Sequence, residues 1–340
     1  MISGNINPYS KRHLKKSSPY PDVLTWVNEI RKGNTSALAR AITLLESTTA
    51  SDKIEAEKLV TKSNASRSRS IRLGITGPPG VGKSSFIEAI GLEILKDPLL
   101  KVAVLTYDPI SPLKGGSILG DKTRMQNLSN HPRAFIRPSP SSLSSSINET
   151  SRSAIDLCAL AGYDFILIET VGTGQSELVI NHLVDYSFLL LNPAGGDELQ
   201  GIKRGIMEMA DLIVVNKDDS GLENAAKRTQ ANYQNAIKLL SRDKVKVMKC
   251  SSLHNIGIQE IRMHLVAMIS QDKKAGTILK KRKSQRIYMF HEIIKQKINH
   301  RISGMVSNKK SKSFEDKAMF PASNLNELAE QFINKFFKSR

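Results

Sequence analysis

Residues 73–87 read Leu73-Gly74-Ile75-Thr76-Gly77-Pro78-Pro79-Gly80-Val81-Gly82-Lys83-Ser84-Ser85-Phe86-Ile87: an apolar run, a glycine-rich turn and the opening of a helix. Gly77 to Ser84 matches the P-loop spacing G-x-x-x-x-G-K-S/T. Glycines suit such a loop because successive backbone N–H groups turn inward to cradle phosphate oxygens, and side chains there would block the approach. Lys83 is expected to neutralise β- and γ-phosphate charge, and the Ser84 hydroxyl to ligate magnesium. Pro78, Pro79, Gly80, Val81, Gly82 and Ser85 complete the expected phosphate-binding stretch.

Outward from this loop, short apolar runs alternate with helical stretches, the pattern of βα units and a mostly parallel sheet. Strands are expected at Leu73–Thr76, Val102–Tyr107, Phe165–Glu169, Phe188–Asn192, Leu212–Asn216 and Val245–Met248. Each ends in polar or glycine-rich residues, as in a doubly wound sheet that binds its ligand beyond the strands' carboxyl ends. The Ser/Pro stretch Pro138–Ser146 reads as a loop within this block. The fold class is therefore α/β, a P-loop NTPase flanked by N-terminal helices and a C-terminal helical arm. Three regions are expected: an N-terminal arm and helices over 1–70, the P-loop domain over 71–270, and a basic arm over 271–340.

In the first region Asp22 can cap a helix carrying Val23, Trp26, Val27 and Ile30, with Gly33 as its stop, and a second helix follows on Leu38, Ala41, Ile42 and Leu45. A Ser/Lys/Arg-rich linker is expected from Thr61 to Ser70. In the last region apolar residues recur at helical spacing from Ile287 to Ile298 and from Leu325 to Phe337.

The 340 residues carry a net charge of +18 and are 40% hydrophobic, which suits a chain with a sizeable core rather than a disordered one. The charge is uneven. Residues 1–72 hold 13 Lys+Arg against 6 Asp+Glu, net +7; residues 73–270 hold 20 against 20, net 0; residues 271–340 hold 17 against 6, net +11. Any acidic partner is thus a matter for the ends, and the middle for chemistry. Nucleic-acid binding is not expected, because no recognition motif and few aromatics accompany the lysines. No apolar run suits a membrane span, and the first 30 residues lack a secretory apolar core. A cytoplasmic location is expected, with an organellar matrix left open by the acid-free basic start. Cys158 and Cys250 offer neither a disulfide framework nor a metal pair, and the seven histidines are scattered.

A second anchor lies at Asn216-Lys217-Asp218-Asp219, which fits the guanine-reading N-K-x-D pattern. Asp219 is an acceptor-only carboxylate suited to the ring N–H and exocyclic amino group of guanine, a register adenine does not offer. The loop Cys250-Ser251-Ser252-Leu253 lies where a second base-contacting loop belongs. Between the anchors, Asp108, Asp121 and Glu169 are candidate groups for magnesium and the attacking water, and Gly172 for a γ-phosphate contact through its N–H. No glutamine directly follows Gly172, although Gln175 is close, so slow unaided turnover is expected.

With these residues in place, the central block closely resembles the MeaB/ArgK family, GTPase chaperones of adenosylcobalamin enzymes within the SIMIBI class of P-loop proteins. The resemblance runs from about Trp26 to Ser270. It is densest in Gly115-Gly-Ser-Ile-Leu-Gly-Asp-Lys-Thr-Arg-Met125, Phe135-Ile-Arg-Pro-Ser139, Glu169-Thr-Val-Gly172, Gly174-Gln-Ser-Glu177 and the run from Gly196 to Glu208. It implies a homodimeric, magnesium-dependent GTPase that binds GTP and GDP and docks on methylmalonyl-CoA mutase or a similar acyl-CoA mutase. That partner, rather than this chain, would carry the adenosylcobalamin. It further implies catalytic roles for Lys83, Asp121, Arg124 and Glu169, metal ligation by Ser84, Asp108, Asp121 and Glu169, and a client-coupling switch containing Asp197, Glu198, Gln200 and Lys203. The chain departs from the family pattern at Ser111-Pro-Leu-Lys114 and at Ser141–Ser146. A metallochaperone-type GTPase and a kinase linked to basic amino-acid transport are the alternatives.

Overall fold

The computed structural model describes residues 20–63, 69–108, 125–140, 149–170, 180–193, 204–306, 314, 316, 319 and 325–337. Three helices come first: α1 (Val23–Arg31), α2 (Thr35–Glu46) and α3 (Ala50–Ser63). Asp22 caps α1 as expected, its carboxylate accepting the N–H groups of Leu24 and Thr25, and Asn34 caps α2 through Ala37 N–H. Sequence periodicity did not announce α3, because its exposed face is polar and only Leu59 and Ser63 are buried. Its last three residues take the start of the expected linker.

The α/β core follows as β1 (Ile71–Thr76), α4 (Lys83–Leu95), β2 (Val102–Asp108), the short α5 (Gln126–Ser129), β3 (Ala134–Pro140), α6 (Glu149–Leu160), β4 (Phe165–Thr170), β5 (Tyr186–Leu191), α7 (Arg204–Met209), β6 (Leu212–Val215), α8 (Glu223–Leu239), β7 (Lys246–Lys249) and α9 (Ile258–Ala275). The seven strands form one sheet in the order β3-β2-β4-β1-β5-β6-β7, with every pairing parallel. All six expected strands are present, and β3 is the seventh. Pro138 and Pro140 disguised it as a loop. Proline gives no N–H to a ladder and is tolerated at a sheet edge, which is where β3 lies.

Each face of the sheet buries its own core. Ile71, Leu73 and Ile75 of β1 turn towards α4 and α9, with Phe86, Ile90 and Leu265. On the other face, Ala103, Leu105, Ile166 and Ile168 pack against α1, α2, α3 and α6 through Trp26, Leu38, Ile42 and Ile155. The β5–β7 end of that second face is covered by α7 and α8, with Tyr233 and Ile237 fully buried or nearly so. Alternation of side chains across each strand divides these layers.

α9 runs through Ser270 and stops at Gly276, whose φ of 70° gives a left-handed cap. α10 (Thr277–Val306) then crosses back under the sheet, and α11 (Leu325–Phe337) follows. The first part of α10 is held by buried polar contacts. Arg282 makes two bonds to the Asp185 carboxylate, Nε to Oδ1 at 2.7 Å and Nη2 to Oδ2 at 2.6 Å, and the Asp185 side chain has no exposure. Gln285 Nε2 donates to the carbonyls of Asn181 and Val184, and the Tyr288 ring stacks on His182 with centroids 3.6 Å apart. No helix among the described residues is long and apolar enough to cross a membrane.

Candidate active site

β1, central in the sheet, hands the chain to the loop Gly77–Gly82 and α4 begins at Lys83, so the helix amino terminus points at the loop. Two glycines are dictated by their surroundings. Gly77 has φ 150°, and a Cβ there would lie 2.5 Å from the Leu190 carbonyl oxygen of β5. Gly82 has φ 91°, and its Cβ would lie 2.7 Å from Asn216 Nδ2. The phosphate loop is therefore packed against the guanine-motif residues as well as against its own sheet. Lys83 Nζ donates to the loop carbonyls of Gly77 at 2.8 Å and Pro78 at 3.1 Å.

On the α4 side of the sheet, Ser84 Oγ donates to Glu169, 3.1 Å from Oε1 and 3.3 Å from Oε2. Glu169 comes from β4, which lies beside β1 with Ile75 opposite Glu169. A hydroxyl and a carboxylate converging at the first turn after a P-loop form an oxygen donor set of the kind a hard divalent cation takes. Magnesium fits this chemistry.

Asn216 follows β6 and is 2% exposed. Its amide joins both halves of the site: Nδ2 donates to the Val81 carbonyl at 2.9 Å, while Oδ1 accepts from Ser252 N at 3.1 Å and Ser252 Oγ at 2.8 Å. Lys217, in the left-handed region at φ 60°, donates from Nζ to the Gly80 carbonyl at 2.6 Å and so lies across the loop. Asp219 accepts a hydrogen bond from Ser251 Oγ. Leu253, at the tip of that loop, is 75% exposed. Beneath it, burial pushes the Cys250 thiol up to about 12, so it packs as a neutral group.

Residues expected from the two sequence anchors, Gly77–Ser85, Asn216, Lys217, Asp219 and Ser251–Leu253, thus lie together, and Glu169, expected from between the anchors, joins them through Ser84. The backbone of Asp108 ends β2, two strands from β1. Asp121, Arg124, Gly172, Asp197, Glu198, Gln200 and Lys203 lie outside the described residues. One supporting pair was missed by sequence reading. Lys249 Nζ meets Asp218 Oδ2 at 2.8 Å, and Asp218 N–H donates to the Cys250 carbonyl at 2.9 Å, which fastens the N-K-x-D turn to the Ser251–Leu253 loop. A lysine ending the next strand was the available signal. Among the described residues Asp218 Oδ1 and Asn192 Oδ1 are buried acceptors without a hydrogen-bond partner at this edge, which suits a ligand or waters rich in donors.

A parallel sheet whose central strand delivers a P-loop, with an N-K-x-D turn seated against that loop, defines a P-loop GTPase. The chain belongs to the family described as methylmalonyl Co-A mutase-associated GTPase MeaB, whose family model matches residues 38–307. It is 42% identical over 297 residues to the methylmalonic aciduria type A homolog, mitochondrial, of Caenorhabditis elegans, covering 82% of this chain and 74% of that one. It is 39% identical over 280 residues to the GTPase ArgK of Escherichia coli (strain K12), covering 81% and 84%. The crystal structure of a protein named LAO/AO transport system kinase superposes with a TM-score of 0.74 at 30% identity, covering 92% of this chain and 99% of that one.

Proposed function

We propose that this GTPase is a chaperone whose GTP cycle gates adenosylcobalamin delivery to, and protection of, methylmalonyl-CoA mutase or a similar acyl-CoA mutase. The observation that carries this reading is the family match over residues 38–307, which extends past the nucleotide-binding elements into α10. In this reading Gly77–Ser85 and Gly172 hold the phosphates, and Asn216, Lys217, Asp219 and Ser251–Leu253 hold the guanine. Ser84, Asp108, Asp121 and Glu169 hold Mg2+, which when bound would neutralise charge on the phosphate oxygens. Lys83 and Arg124 stabilise charge at the transferred phosphoryl group, and Asp121 and Glu169 orient water. Asp197, Glu198, Gln200 and Lys203 belong to the segment that couples nucleotide state to the client.

The reading includes a homodimer. α10 exposes Ile287, Phe290, Ile294 and Ile298 at helical spacing, and these suit a second copy of the arm. Phe290→Glu with Ile294→Glu is expected to halve the sedimenting mass without loss of GDP binding. The compartment follows that of the mutase, cytoplasm or mitochondrial matrix, and the animal relative's name favours the latter. Co-sedimentation with a purified methylmalonyl-CoA mutase, with GDP or a non-hydrolysable GTP analogue, tests the function. Association that depends on the nucleotide is expected, and its absence in both states would count against it. The name carried by the similar solved protein favours a second reading, a kinase; transfer of labelled γ-phosphate to a protein acceptor rather than to water would select it.

A further inference from the structure

Glu46 is the last residue of α2 and breaks a local rule. The carboxyl end of a helix carries partial negative charge and favours cations, so a carboxylate there is unfavourable unless other groups hold it. Those groups come from β3. Arg137 Nη2 donates to Glu46 Oε2 at 2.5 Å, Ser139 Oγ donates to Oε1 at 2.6 Å, and Arg137 Nη2 also reaches Thr43 Oγ1 at 3.2 Å. The Glu46 and Arg137 side chains are only 14% and 22% exposed, so these charge-assisted bonds are shielded from water.

The place that the clamp grips matters. β3 is an edge strand, bonded in the sheet to β2 alone, and of the last three residues at its carboxyl end Pro138 and Pro140 have no N–H, so Ser139 alone keeps one. The register sets Tyr107 beside Ser139 and Asp108 beside Pro140. Glu46 thus fastens, from α2, the strand end that flanks the backbone of Asp108. It does so from the sheet face opposite the Ser84–Glu169 pair, since Tyr107 packs with the α2 and α6 core, and Glu169 turns to α4. Glu46 is therefore placed to act on the site without touching nucleotide.

We propose that Glu46 is a positioning residue, which through Arg137 and Ser139 fixes the paired ends of β3 and β2 and so holds Asp108 in place for metal binding. This rests on the proposed metal role of Asp108. The test is a Mg2+ titration of fluorescent GDP release, with the thermal midpoint alongside, in the wild type, Glu46→Gln, Asp108→Asn and the double variant. Glu46→Gln keeps the side chain's shape, and Ser139→Ala, which removes one bond to the carboxylate and leaves the Arg137 ion pair, guards against a folding defect. Glu46→Gln should raise the half-saturating Mg2+ about tenfold, the size of effect seen when groups supporting a metal ligand are lost. Ser139→Ala should shift it less in the same direction, GDP affinity in chelator should stay within about twofold, and Glu46→Gln should add little once Asp108 is Asn. A lower thermal midpoint with unchanged Mg2+ dependence would overturn the proposal, as would equal shifts in both backgrounds. If Asp108→Asn alone leaves the Mg2+ dependence unchanged, the metal role of Asp108 fails, and this proposal fails with it.

Discussion

Asn216 joins the two halves of the site, because one amide bonds the Val81 carbonyl of the phosphate loop and both donors of Ser252 in the base loop. Asp219 beside it has only acceptors to offer, and in the proposed function that is what selects guanine. Replacement Asp219→Ala should weaken GDP binding roughly 100-fold, about 2.8 kcal/mol, while leaving the thermal midpoint near the wild type. In Asp219→Asn the amide can donate to a carbonyl at the base's C2 position, so xanthosine diphosphate should then outcompete GDP in calorimetric titration. Unaltered GDP affinity in both variants would remove Asp219 from base reading. His182, stacked on Tyr288, has its pKa lowered, chiefly by burial and further by Lys281, against the opposing pull of Glu292. The unfolded chain then binds more protons around the ordinary histidine pKa, so His182 contributes stability that is present above about pH 6.5 and declines as pH falls below it. His264, shifted the same way by burial and Lys246, adds to that slope. Thermal midpoints measured from pH 7.5 to 5 should fall, and His182→Phe, which keeps a ring on Tyr288, should flatten the fall. An unchanged slope would mean that His182 does not contribute.

At the scale of elements, what was legible was local. The P-loop and the N-K-x-D turn each declare themselves within a few residues because their chemistry depends on adjacent backbone and side-chain groups. Strands β1, β2, β4, β5, β6 and β7 show as apolar runs because a parallel sheet is buried on both faces. Contacts between distant segments left no such mark. β3 was hidden by prolines that only its edge position permits. The seat of α10 depends on Arg282 and Asp185, 97 residues apart in sequence. In the sequence Arg282 is one more lysine-like charge in a basic run; in the fold it also donates to the Ser70 carbonyl at 2.6 Å and ties α10 to the start of β1. Replacing it with Met leaves Asp185 a buried, underpaired carboxylate, expected to cost about 3–5 kcal/mol. Chemical denaturation should show that loss, and a change below about 1 kcal/mol would mean that α10 is held by its apolar contacts instead. The candidate site was legible to the same degree. The residues of the P-loop and of the N-K-x-D turn were found from motifs, whereas the contacts of Lys249 with Asp218 and of Glu46 with Arg137 and Ser139 were not, since each joins residues from different elements.

For the whole molecule, the net charge of +18 resolves into a neutral GTPase core with basic ends. Part of the C-terminal excess is neutralised inside the protein. Lys281 lies 3.6 Å from Asp211 and donates to the Asp185 carbonyl, and Arg282 meets the Asp185 carboxylate, whereas Lys280, Lys283 and Arg286 face outward beside Leu279, Ile287 and Phe290. A GTPase acts as a chaperone only if its client distinguishes the nucleotide states, which makes nucleotide and client binding reciprocally coupled. The most direct measurement is therefore the affinity for methylmalonyl-CoA mutase, by calorimetry, with GDP and with a non-hydrolysable GTP analogue, together with the GTPase rate in the mutase's presence. Affinities that differ about fivefold or more between the two nucleotides, the lower range of allosteric coupling, with hydrolysis stimulated by the mutase, are the predicted result. Equal affinities, or no binding, with an unstimulated rate would contradict it.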